Sequence, residues 1–183
     1  MDDIVIVDCQ YDFIDGSLAC RHSREAVQQL VDFINHHEVR CLYTSDWHNE
    51  TNGSFKIHGG IWPVHCVAGT HGAALAEAFT KEVKAEENRP QENTVFLKGR
   101  RDDVEEYSAF NGINGEGKAL HEVASSHVYV GGIASEYCVK ETVLALLQSG
   151  RTVTLLVSGL GYVSEEGHKE TLEELKGLGV ILA

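Results

Sequence analysis

The chain has no apolar run of membrane-span length, no CxxC pair, no internal repeat and no low-complexity tract. Its start, MDDIVIVDCQ, is acidic and too short in apolar residues for a secretory signal, so the expected location is the cytoplasm. Positive charge is scarce: 15 Lys and Arg stand against 28 Asp and Glu, for a net charge of −13. Such a surface repels nucleic acid and anionic membranes, so neither is expected as a partner, and a small neutral or cationic substrate fits better. Cysteines are few and odd in number: Cys9, Cys20, Cys41, Cys66 and Cys138. They read as free thiols in a reducing compartment, and the plain reading of each is a small buried hydrophobe.

What is present is ordinary globular composition, 43% hydrophobic and 23% charged. A length of 183 residues suits one domain spanning 1–183. Six short apolar runs read as strands: DIVIVD (3–8), RCLYTSD (40–46), TVFLKG (94–99), HVYVGG (127–132), TVTLLVS (152–158) and GVILA (179–183). Rich in Val, Ile and Leu with little alternation, they suit a parallel sheet covered on both faces. Helical patterns alternate with them. SREAVQQLVDFINHH starts at Ser23, a good N-cap, and spaces Ala26, Val27, Leu30, Val31 and Ile34 by three and four. EYCVKETVLALLQSG and SEEGHKETLEELKGLG follow, the first ending at Gly150. The expected fold is α/β: a doubly wound, mostly parallel sheet of six strands with helices on both faces. Two long irregular stretches, 46–71 and 99–118, follow the second and third strands, where open α/β sheets bind ligands.

Three polar features end or follow apolar strands: Asp8, Lys98 and the Cys138 segment. In a parallel sheet the strand C-termini share one edge, so these side chains converge despite their separation in sequence. Singly, a strand-end Asp caps a turn and a strand-end Lys snorkels to water. Together they make a nucleophile, a base and a counter-charge. Cys138 at a helix start, with Lys98 near, is expected to have a lowered thiol pKa. A carboxylate beside it accepts the proton and returns it.

A second cluster lies in SDWHNETNGSFKIHGGIWPVHCVAGTHG. Asp46 and His48 stand two apart, on one side of an extended segment, and His65 returns after a loop. A carboxylate and two imidazoles suit Zn²⁺, Fe²⁺ or Mn²⁺, although alone the pattern is a weak signal and turn chemistry and surface histidines explain it more readily.

The ordered set IVDCQYDFIDGSL, YTSDWH, GGIWPVHCVAGTHGAAL, FLKG, YSAF and GGIASEYCVKETVLAL resembles the nicotinamidase/pyrazinamidase branch of the isochorismatase-like cysteine hydrolases. The resemblance runs from residue 6 to residue 146. It implies hydrolysis of nicotinamide, and of pyrazinamide, to the acid and ammonia through a cysteine thioester, as a step of NAD salvage. It implies a triad of Asp8, Lys98 and Cys138, and one divalent metal ion, zinc first, on Asp46, His48 and His65. It implies an oxyanion hole of the Ala134 and Cys138 N–H groups beside a cis Ile133–Ala134 peptide. Phe13, Trp62, Tyr107 and Ile133 fall on the substrate pocket, and Gln10 falls where it would buttress the site or make an ordinary strand-end contact.

One departure concerns the metal: where many members carry a further histidine, the stretch NGSF places Asn52, leaving Asn52, Ser54 and His58 as open contributors to the shell. Another is KGRRDDVEEYSAF, whose charge either solvates a loop or shapes a lid. A sister amidase acting on an N-carbamoyl compound is the competing enzyme reading, and a non-catalytic binding module the competing non-enzyme one. An intact metal cluster disfavours the first, and an intact triad the second. Members are often homo-oligomers, but no interface patch is legible here.

Overall fold

The structure, a computed structural model, describes residues 1–183. The six apolar runs form one sheet: β1 (Asp2–Val7), β2 (Val39–Asp46), β3 (Val95–Lys98), β4 (His127–Gly132), β5 (Thr152–Leu160) and β6 (Ile181–Leu182). Their order is β3-β2-β1-β4-β5-β6 and every neighbouring pair is parallel. The doubly wound expectation holds.

Side chains alternate between the two faces of a strand. Ile4 and Ile6 enter one core with Leu30, Val31 and Ile34 of helix α1 (Ser23–His36). Val5 and Val7 enter the other, with Val143 and Leu146 of α2 (Lys140–Gln148) and Leu175 of α3 (Glu165–Gly177). Both faces are covered, so both alternating sets are apolar, which is why the strands show no polar alternation.

Several boundaries differ from the sequence reading. β1 stops at Val7, and Asp8 lies just beyond it with φ of 46°. Ser23 is not the N-cap: it is the first helical residue, and His22 caps with φ of 60°. The Ser23 hydroxyl is already engaged by the carbonyls of Cys20 and Phe13, at 2.6 and 3.1 Å. Ser164 does cap α3, accepting from Gly167 N at 3.0 Å. The Cys138 segment opens as a single π turn, Ser135–Val139, ahead of α2. The last strand is only two residues, because Gly179 turns with φ of 96°.

The strand order reverses between β1 and β4, where the chain winds first one way and then the other. Crevices for ligands open at the strand C-termini beside such a switch point. Asp8, Asp46 and Lys98 lie at the ends of β1, β2 and β3, and Cys138 follows β4. No helix is long and apolar enough to cross a membrane.

Candidate active site

The three strand-end groups meet. Lys98, 1% exposed, places its Nζ 2.9 Å from Asp8 Oδ2 and 3.4 Å from Cys138 Sγ. Asp8 Oδ1 accepts from Thr44 Oγ1 at 2.6 Å. Asp8 Oδ2 is fully buried, and its contact with Lys98 is an ion pair rather than an aligned hydrogen bond. That oxygen is therefore open to a proton from the nearby thiol, whose sulfur lies within 4.8 Å of the Asp8 carboxylate.

The electrostatics correct one expectation. Burial pushes the Cys138 thiol well above its usual range, Asp8 and Asp46 push the same way, and Lys98 opposes without prevailing. The helix start and the lysine do not produce a resting thiolate, because the sulfur is too deep and faces two carboxylates. Burial likewise raises the Asp8 carboxyl, with Lys98 pulling it down. Burial disfavours the Lys98 ammonium, but Asp46, Asp8 and Cys138 more than reverse that and hold it firmly charged. Both shifts run in one direction, toward a protonated thiol and a more basic Asp8 carboxylate, which suits proton transfer from the first to the second.

Asp46, His48 and His65 converge as well, their ligating atoms within 4.8 Å of one another and all three residues buried. His48 Nδ1 lies 2.6 Å from the Gly99 carbonyl and His65 Nδ1 2.8 Å from the Pro63 carbonyl. A carbonyl only accepts, so both protons sit on Nδ1 and both Nε2 lone pairs face Asp46 Oδ2, at 3.5 and 3.9 Å. Two fixed imidazole tautomers and a carboxylate with no donor among them form the donor set of a divalent transition metal, with the outer hydrogen bonds such ligands use. The residues fit the ion.

Gly99 is needed here twice. Its φ is +67°, and a Cβ on it would lie 2.5 Å from His48 Cε1. Gln10 clamps the carboxylate's backbone: its Nε2 donates to Asp46 O and to Ala73 O, each at 2.8 Å, and its Oε1 accepts from Asp46 N at 2.8 Å. Gln10 thus buttresses the site.

The open contributors separate. Asn52 donates to the Gly99 and Arg101 carbonyls and accepts from Ser54 N, so its amide is spent on the loop. His58 is exposed, with Nε2 on the Glu50 carbonyl. Ser54 Oγ is buried without a partner, the one buried uncommitted polar atom of the three.

A cavity of about 30 Å³, mainly apolar, opens onto Cys138. Phe13, Trp62, Tyr107 and Tyr137 form its walls with Ala134. Trp62 Nε1 donates to Tyr107 Oη at 3.0 Å, and both rings contact Tyr137. The stretch after Lys98 lends Glu105 and Tyr107 to the cavity lining, and it is tied down by Asp102 to Asn49 and Thr51 and by Tyr107 to Trp62. Ile133 is wholly buried in the core and is not a wall of the cavity. Tyr137 and Leu18, to which the sequence gives no separate role, also line it, as does Cys20 rather than being a plain core residue; for Tyr137 the signal is its place beside Cys138. A larger hollow of about 640 Å³ lies at the opposite end of the sheet, around the starts of β2 and β3, away from these groups.

The Ile133–Ala134 peptide is cis. The Ala134 carbonyl accepts from Tyr137 N and Val139 N, whereas its N–H has no acceptor within the chain.

Similar proteins share this arrangement of sheet and chain. The nicotinamidase of Escherichia coli is 30% identical, over 85% of this chain and 81% of its own. A pyrazinamidase of Pyrococcus horikoshii, solved in complex with zinc, superposes with a TM-score of 0.85 at 31% identity, covering 100% of this chain and 98% of that one. The yeast nicotinamidase bound to the inhibitor nicotinaldehyde gives 0.82 at 27%, covering 100% and 99%. The isochorismatase domain model matches residues 4–183, and the chain belongs to that family.

Proposed function

We propose that the protein is a nicotinamidase, an amidohydrolase that converts nicotinamide, and its analogue pyrazinamide, to the acid and ammonia. The observation that carries the reading is the meeting of Asp8, Lys98 and Cys138 at one end of an aromatic cavity, beside Asp46, His48 and His65. The relatives at 30% identity and more support it. The 183 residues act as one domain in the cytoplasm, in pyridine-nucleotide salvage.

The ring of the substrate enters between Phe13 and Trp62, with Tyr107 closing over it. Asp8 Oδ2 accepts the Cys138 proton as the sulfur attacks the amide carbon. In so buried a site the thiolate forms only as it is consumed, and Lys98 keeps the net charge from building. The N–H groups of Ala134 and Cys138 receive the tetrahedral oxyanion, such donors being worth about 3 kcal/mol each. Asp8 gives its proton to the departing ammonia, then takes one from the water that hydrolyses the thioester. Asp46, His48 and His65 would hold a divalent ion, zinc first and iron or manganese in the same donor set, which would supply a Lewis-acidic anchor for the substrate ring.

Ammonia release from nicotinamide by purified protein, compared with Cys138→Ala, tests the reading. Turnover is expected in the first and none in the second; retained release by Cys138→Ala would sink the scheme.

A further inference from the structure

Beside the oxyanion backbone lies a second polar cluster that this reaction leaves unused. Ser135 is 1% exposed, and its Oγ lies 2.7 Å from His168 Nδ1 and 3.3 Å from Glu136 Oε1. Ser135 N donates to Gly161 O at 2.9 Å. The Glu136 carboxylate accepts from Val163 N and from Ser164 N, the latter at 2.7 Å, at the start of α3. His168, in the first turns of α3, stacks on Tyr162 with ring centroids 4.3 Å apart. Tyr162 in turn pairs with Arg21 through both backbone groups, at 2.7 and 3.0 Å. Burial holds the His168 imidazole below its usual range against Glu136 and Glu165, with His22 and Lys169 acting in the same direction as burial.

The Ala134 amide sits between two anchors. On the strand side, Ile133 N donates to Val7 O at 2.9 Å, within the sheet. On the far side the anchor is Ser135, held by Gly161 and by the imidazole. The Ala134 carbonyl is held by Tyr137 N and Val139 N, at 3.1 and 3.2 Å, whereas the Ala134 N–H has no acceptor within the chain. A hydrogen bond weakens steeply as its angle departs from linear, so the aim of that N–H depends on how firmly Ser135 is held.

We propose that His168 is a positioning residue for amide hydrolysis: through Ser135 Oγ it fixes the backbone beyond the Ala134 amide, and with it the aim of the N–H toward the oxyanion. The inference rests on the nicotinamidase reading of the same site. His168 touches no reacting atom, so its effect belongs to the tetrahedral state and not to ground-state binding.

The test uses His168→Phe, which keeps a ring to stack on Tyr162 but removes Nδ1; His168→Asn, which restores a polar atom near that position; and Ser135→Ala. Nicotinaldehyde reports on the tetrahedral state: the Cys138 sulfur adds to the aldehyde carbon and the thiol proton is released to Asp8 or to the oxygen, leaving that oxygen in the oxyanion position. Nicotinate reports on the pocket alone. His168→Phe and Ser135→Ala are each expected to lower kcat about tenfold, the scale of a small misplacement, with KM and nicotinate affinity unchanged and nicotinaldehyde inhibition weakened by a similar factor. His168→Asn should recover part of the loss, and the double variant should be no worse than either single one, as residues acting through one bond require. Unchanged kcat in His168→Phe, or equal weakening of nicotinaldehyde and nicotinate, overturns the inference alone. Wild-type protein that releases no ammonia from nicotinamide overturns the functional reading and the inference with it.

Discussion

Lys98 Nζ donates to Asp46 Oδ1 at 2.5 Å, closer than it approaches Asp8. The lysine is therefore shared between the proposed triad and the carboxylate of the candidate metal-binding group. Asp46 uses Oδ1 for the ammonium and turns Oδ2 to the two histidines. Burial opposes the Asp46 charge, and Lys98 and His48 more than restore it, holding the carboxyl well below the ordinary range.

Asp46 and His65 should then differ when removed. Purified protein is expected to hold close to one metal ion per chain, and Asp46→Ala and His65→Ala are both expected to lose it. Added metal should recover much of the activity of His65→Ala but little of Asp46→Ala, because the latter also leaves Lys98 without its nearest partner. Elemental analysis with a metal titration of activity decides this; equal recovery of the two variants contradicts the shared role.

Gly99→Ala touches no substrate, yet it should damage the metal cluster. Left-handed backbone costs a non-glycine residue about 1–2 kcal/mol, and the new methyl would press on the His48 ring. Metal content at limiting zinc is expected to fall and to return at high zinc, with thermal unfolding only slightly earlier. Wild-type zinc affinity in Gly99→Ala would count against the tight fit.

Gln10→Leu should act through stability as well as activity. It strips both backbone groups of Asp46 of their partners in a buried place. Each buried unsatisfied group costs about 1–3 kcal/mol, so for the two groups a loss of about 2–6 kcal/mol in urea denaturation is expected. A change under about 0.5 kcal/mol would show that the clamp is idle, the range of an inert surface substitution.

The protonation states give a pH test. The reaction as drawn needs Asp8 ionised and Cys138 protonated. Activity is lost as pH falls through the raised Asp8 value, and lost again as pH rises through the raised Cys138 value. The kcat/KM profile should be a bell whose acid limb lies above the ordinary aspartate range. In protein stripped of metal, Cys138 should react with iodoacetamide more slowly at neutral pH than an ordinary cysteine, and the rate should climb with pH. A plateau of fast alkylation near neutrality would show a resting thiolate instead.

Strand ends were the legible part of this chain. Asp8, Asp46 and Lys98 each close an apolar run, and a parallel sheet brings such ends to one edge, so their meeting follows from pattern alone. The His65 return was legible only as one histidine among several in a long loop, since such a loop has no periodicity to read. Three things were hidden. The raised thiol of Cys138 depends on depth of burial, which only the packed fold sets. The side to which Ser23 turns its hydroxyl depended on where the preceding loop put its carbonyls. Ile133, apolar and beside the site, fits a pocket wall or the core equally well in sequence, and the packed fold places it in the core.

The last residues of β2 and β3 stand opposite one another, Asp46 against Lys98. Neighbours in register point to the same face of a sheet, and a slip of one residue sends a side chain to the other face. The ion pair that joins the two halves of the site is thus written in the pairing frame of a four-residue strand. Losing one codon between Val95 and Lys98 would leave every functional residue in the sequence and still carry the ammonium away from both carboxylates. The geometry of the proposed site thus depends on the length of a short strand as much as on the identity of the side chains it carries.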